Sequence, residues 1–159
     1  MRATTTAALA ALMLAAASPG AAVAAPTDAS AGPIAAPEVP ATDAAVSAAL
    51  SKVGASYAGG AAGPDAFDCS GLTMWALARV DIAAPHSSYA QYAMGTAVAR
   101  SEIRRGDLVF FDSAGAGASH VALATSPTTA VSATNHGVMT HPIYDAYWGG
   151  AYVGTRRLR

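Results

Sequence analysis

The chain has 159 residues, 12% charged and 53% hydrophobic, with nine Lys and Arg against ten Asp and Glu. That length implies one domain. The basic residues are scattered apart from Arg104-Arg105 and Arg156, Arg157 and Arg159, and without a basic face interleaved with aromatics they exclude a nucleic-acid partner.

Met1-Arg2 gives a short positive start, Ala7 to Ala17 an apolar run carrying Leu9, Leu12, Met13 and Leu14, and Ala22-Val23-Ala24 a small-residue cleavage site. Residues 1–24 therefore read as a signal peptide, and the protein is expected to be secreted or held in the cell envelope. A membrane span is the competing reading, but the apolar run falls short of the ~20 residues a bilayer core requires, and Pro19-Gly20 breaks it. No Cys follows the cleavage site, so a lipid anchor is not supported. Residues 25–42 are mostly Ala, Pro, Gly, Ser and Thr with Pro26, Pro33, Pro37 and Pro40, too poor in large apolar side chains to fold alone, and read as a linker. The folded domain is expected over residues 43–159, as a monomer.

Val46, Leu50 and Val53 recur at helical spacing over Ala44 to Val53, and Gly54 marks the stop. Gly59-Gly60-Ala61-Ala62-Gly63-Pro64 is a loop. From Cys69, the positions Leu72, Ala76 and Val80 share one helical face, and Asp68 is placed to cap that helix, so Cys69 falls in its first turn. A Pro-His-Ser-Ser turn and a short helix around Tyr89 to Met94 follow. Then the period changes: Leu108 to Phe111, His120 to Thr125, Ala130 to Thr134 and Ala151 to Thr155 read as strands, with Ser126 to Thr129 as a hairpin turn. Helices first and an antiparallel sheet after argue an α+β fold.

One cysteine in an exported chain permits no internal disulfide. It implies an intermolecular bond, a buried inert thiol or a thiol kept for chemistry. A helix start favours the last reading, because its unpaired N–H groups and dipole stabilise a thiolate and lower the thiol pKa. His120, at the start of a strand, is the candidate base. A hairpin folded about Ser126 sets Ser132 opposite His120, where its oxygen could accept the second ring N–H and hold the tautomer. His86, His136 and His141 read most simply as surface histidines, and no pair has a recognised metal-ligand spacing. Trp75, Phe110 and Phe111 read as core, and the tail from Tyr144 to Tyr152 as packing on the sheet, with Trp148 able to line a groove.

Five stretches carry a resemblance: Tyr57-Ala58-Gly59-Gly60, Phe67-Asp68-Cys69-Ser70-Gly71-Leu72, Pro85-His86-Ser87-Ser88-Tyr89-Ala90-Gln91, Arg105-Gly106-Asp107-Leu108-Val109-Phe110-Phe111 and Ser119-His120-Val121. In this order and spacing the chain resembles the NlpC/P60 family of cell-wall peptidases. The resemblance implies a papain-like α+β domain that cuts peptidoglycan stem peptides, typically between γ-D-glutamate and a diamino acid, with Cys69 as nucleophile, His120 as base and no cofactor or metal. Ser132 aligns with the third catalytic position, commonly His and sometimes Asn or Gln. Tyr57, Asp68 and Ser70 match residues that position substrate. The chain departs from the pattern at Ser132, at His86, where many members have Arg, and at Ser56, where Pro is usual. Two further readings are a wall-binding module of the same fold that has lost catalysis through Ser132, and an amidase or acyltransferase with another acyl donor.

Overall fold

The computed structural model describes residues 41–159, so the expected signal peptide and nearly all of the expected linker lie outside the described residues. Helix α1 spans Ala41–Leu50 and starts before the expected domain boundary. Its Thr42 is buried and its side chain lies against Gly106, whose φ of +91° and contact with Thr42 Oγ1 leave no room for a Cβ. Two short strands, β1 (Ser56–Tyr57) and β2 (Ala66–Phe67), pair in parallel around the glycine-rich loop. Helices α2 (Cys69–Ala78) and α3 (Ser88–Tyr92) follow, then β3 (Thr96–Ala97) and a single 3-10 turn at Arg100–Glu102.

The remaining strands are β4 (Leu108–Phe111), β5 (His120–Ala124), β6 (Thr129–Thr134), β7 (Gly137–Pro142) and β8 (Tyr152–Arg157). With β3 they form one antiparallel sheet in the order β3-β8-β4-β5-β6-β7. The α+β class expected from the element order is the observed one. Strand β7 is absent from the sequence reading. It is an edge strand closed by Pro142, a residue that interior strands exclude and edges tolerate.

Both faces of the sheet are covered, which explains the uninterrupted apolar runs of β4 and β5. Alternation sends Leu108, Phe110, Val121 and Leu123 towards α1 and α2, where they meet Val46, Leu72 and Leu77. Val109, Phe111, Ala122 and Ala124 face the other way, onto Ile143, Tyr144, Trp148 and Tyr152. The aromatic tail thus packs on the sheet as its composition implies. Asp107, buried just ahead of β4, accepts two hydrogen bonds from Arg157 of β8, both 2.8 Å, and one from the Arg104 amide. This explains the Gly-Asp-Leu run structurally: the carboxylate ties the entry of β4 to the last strand.

Candidate active site

Asp68 caps α2. Its Oδ1 accepts the Gly71 amide at 2.6 Å and its Oδ2 the Gly60 amide at 2.8 Å, so one carboxylate closes the helix start and pins the glycine-rich loop above it. The Ser70 hydroxyl also donates to Oδ1, and His86 Nε2 lies 2.9 Å from it. Burial, the largest effect, pushes the Asp68 carboxyl up, but the Gly71 amide, His86 and the Gly60 amide together hold it below its ordinary range. Gly71 is required by proximity: a Cβ there would overlap the carbonyl oxygen of Ala61. Ser70 is buried, and its own carbonyl accepts the amide of Gln91, a fully buried side chain that also reaches Thr73 and Pro85. The Pro-to-Gln stretch therefore serves to fasten α3 beneath the start of α2.

Cys69 is the first residue of α2 and is partly buried against the core. Helix α2 packs against β5, and the backbone N–H groups of Val121, Ser70 and Cys69 itself favour the thiolate. The expected lowering of the thiol pKa does not occur. Burial, the largest effect, and the neighbouring Asp68 carboxylate push the thiol up, and the three N–H groups only partly offset them. Tyr57, exposed on β1, feels both neighbours: burial first, then Cys69 and Asp68, raise its phenol above the usual value, so it remains a proton donor at neutral pH.

His120 opens β5 and points to the face away from the helices, with Phe111 and Trp148 around it. It is buried, and burial, followed by the nearby His141, lowers its pKa to about 4. Its Nε2 lies 3.0 Å from Ser132 Oγ, leaving Nδ1 as the ring nitrogen able to take a proton. The ladder is not the one expected. Leu123 pairs with Val131 and Ala124 with Ala130, so the hairpin is centred on Pro127 and not on Ser126. Ser132 is therefore a diagonal neighbour of His120, a separation that side chains on one face still bridge.

His141, expected on the surface, is buried on β7. Its Nε2 lies 2.9 Å from Ser132 Oγ and its Nδ1 2.9 Å from the carbonyl oxygen of Pro142. Trp148 stacks on the ring with centroids 3.9 Å apart, and Trp148 is held by its amide on Asp145 Oδ1. The pattern of strand and turn residues gave no signal for this histidine, because the strand that carries it was not legible. Next to the group a cleft of about 570 Å³ opens, lined in part by Tyr57, His120, Asn135, His136, Tyr147 and Trp148. His120, Ser132 and His141 are thus connected. Tyr57 shares the cleft wall with His120, whereas Asp68 and Ser70 are engaged in building the helix start.

A partly buried thiol at a helix start thus lies beside the strand that presents a hydrogen-bonded imidazole to a cleft, and a thiol and an imidazole are the groups that nucleophilic attack on a carbonyl can use. Among the described residues no group of three or more His, Cys, Asp or Glu side chains is arranged to hold a metal, and no helix is long and apolar enough to cross a membrane. The model of the NlpC/P60 family matches residues 54–157. The chain belongs to the NlpC/P60 family.

Among relatives of the NlpC/P60 chain, a probable endopeptidase of Corynebacterium glutamicum is 46% identical over 101 residues, which are 64% of this chain and 47% of the relative. The probable endopeptidase p60 of Listeria innocua is 39% identical over 115 residues, 72% of this chain and 24% of the relative. The chain thus spans about half of the first relative and a quarter of the second. Among solved structures, a protein similar to lipoprotein, of the NLP/P60 family, from Staphylococcus aureus superposes with a TM-score of 0.68 at 28% identity, covering 74% of this chain and 41% of that one. The peptidoglycan hydrolase RipB of Mycobacterium tuberculosis gives 0.63 at 29% identity, covering 74% and 64%.

Proposed function

We propose that the chain is an exported cysteine endopeptidase that cuts peptidoglycan stem peptides at the γ-D-glutamyl–diamino acid bond. The observation that carries this reading is the hydrogen bond from His120 to Ser132 beside the Cys69 helix start. It supplies the orienting third group that a plain loss of the usual residue would have removed, and so favours catalysis over a binding-only module.

In the proposed reaction the Cys69 thiol gives its proton to Nδ1 of His120 as sulfur attacks the γ-glutamyl carbonyl carbon. With the thiol raised and the imidazole lowered, the resting pair is neutral, and the proton moves during attack. Backbone N–H groups at the start of α2 stabilise the oxyanion, with the Tyr57 hydroxyl as a further donor. Collapse breaks the C–N bond, and the proton on Nδ1 passes to the leaving amine. Water then attacks the thioester, with His120 taking its proton, and releases the γ-carboxylate and free thiol. Asp68 and Ser70 serve by holding the helix start, and Trp148 and Tyr147 bound the groove in which the stem peptide lies. The export reading of residues 1–24 agrees with a substrate outside the membrane.

Incubating peptidoglycan with the mature chain and identifying released fragments by mass spectrometry tests the reading. Fragments with new γ-D-glutamate termini, lost in Cys69→Ala, support it. Pelleting with the wall and releasing nothing would instead favour the binding module.

A further inference from the structure

Three hydrogen bonds run in series away from the proposed base: His120 Nε2 to Ser132 Oγ at 3.0 Å, Ser132 Oγ to His141 Nε2 at 2.9 Å, and His141 Nδ1 to the Pro142 carbonyl at 2.9 Å. The last partner fixes the polarity of all the others. A carbonyl oxygen only accepts, so His141 Nδ1 carries a hydrogen, and in the neutral ring Nε2 is then an acceptor. The Ser132 hydroxyl must donate to it, which leaves the oxygen's lone pairs for His120. His120 Nε2 therefore donates, and its Nδ1 is bare. That is the tautomer a base for Cys69 needs. Ser132 alone would not impose it, because a hydroxyl donates or accepts with equal ease.

We propose that His141 is a positioning residue that sets the tautomer of His120 by acting through Ser132, with the Pro142 carbonyl as the anchor. The proposal rests on the reading of His120 as general base. The surroundings suit the role. His141 is buried, Trp148 stacks on it and tilts over His120, and Phe111 meets His141 edge-on and lies tilted beside His120. The groups that act on its charge are His120 across Ser132 and Asp145 in the following loop. Burial outweighs the carboxylate and keeps the ring neutral. A protonated His141 would donate from Nε2, turn the Ser132 hydroxyl back towards His120 and place the hydrogen of His120 on the wrong nitrogen.

The test is the nitrogen-15 spectrum of the histidine side chains in the mature wild-type chain at neutral pH, with the His120 signals assigned by their loss in His120→Gln. The expected result is a pyrrole-like Nε2 and a pyridine-like Nδ1 on His120; the reverse would overturn the proposal, and neither result needs an active enzyme or a stable variant at position 141. Turnover of stem peptide supplies a second readout. His141→Leu should lower kcat by about 100-fold or more with KM little changed, since a wrong tautomer in a comparable triad costs up to about 10⁴-fold. His141→Gln, whose side-chain oxygen can accept from Ser132, should recover much of that loss. In a Ser132→Ala background, His141→Leu should cost nothing further in kcat, because the path is already cut. Full kcat in His141→Leu, or an additive loss in the double variant, would overturn the proposal. Turnover that survives Cys69→Ala or His120→Gln would instead refute the base assignment on which it rests.

Discussion

Ser132 Oγ sits between two imidazoles, 3.0 Å from His120 and 2.9 Å from His141, with no exposure to solvent. The position is small because both neighbours are already rings. Replacing Ser132 by His, the residue common at this place in the family, should therefore not improve the enzyme. The added ring must displace His141 or Trp148, and overpacking of this kind costs about 1–3 kcal/mol. Ser132→Ala removes both hydrogen bonds and leaves two buried ring nitrogens without a partner, at about 1–3 kcal/mol each. Thermal melts and turnover of a stem peptide by both variants check this: each should be less stable and slower than wild type, and a faster Ser132→His would contradict the packing described.

The pH behaviour follows from burial. With His120 lowered to about 4, the base stays neutral well below the pH at which an ordinary histidine charges, so the acid limb of kcat/KM should fall near pH 4 and not near 6.5. Stability moves in the same window. The unfolded chain binds a proton at His120 near pH 6.5 while the folded chain resists until about 4. The contribution is complete above 6.5 and is lost as pH falls towards 4, by about 3 kcal/mol. Urea titrations at pH 7 and pH 4 should show that loss, and His120→Gln should reduce it. A wild-type acid limb centred at 6.5 would show that the imidazole is solvated.

Asp107 offers a prediction outside the cleft. Its carboxylate is buried and accepts two bonds from Arg157, whose guanidinium is partly exposed and also reaches the Glu102 carbonyl, so Asp107→Ala removes charge-assisted bonds without burying a lone charge and should cost about 1.5–3 kcal/mol. Denaturant unfolding measures this. A change below 1 kcal/mol would mean that β4 and β8 hold together without the pair.

The sequence made the helix start legible because its signals are local: a capping Asp68, a Cys69 in the first turn and a glycine two positions on that lets Ala61 approach. The central strands were legible for the same reason. What was not legible depends on partners far along the chain. His141 was hidden because the edge strand that carries it begins at Gly137 and ends at Pro142, residue types that break a strand pattern. The ladder between β5 and β6 was misplaced because the turn centre is set by Ser126 bonding the amides of Thr128 and Thr129, a detail of turn geometry that shifts every pair by two positions. The thiol pKa was misjudged because burial is a tertiary property that outweighed the helix start.

The most direct test of the account is a defined stem peptide containing the γ-D-glutamyl–diamino acid bond, incubated with wild type, Cys69→Ala and His120→Gln and resolved by chromatography and mass spectrometry. The account predicts a single cut at that bond by the wild type and none by either variant. An intact peptide with wild type, or the same cut by Cys69→Ala, would contradict it.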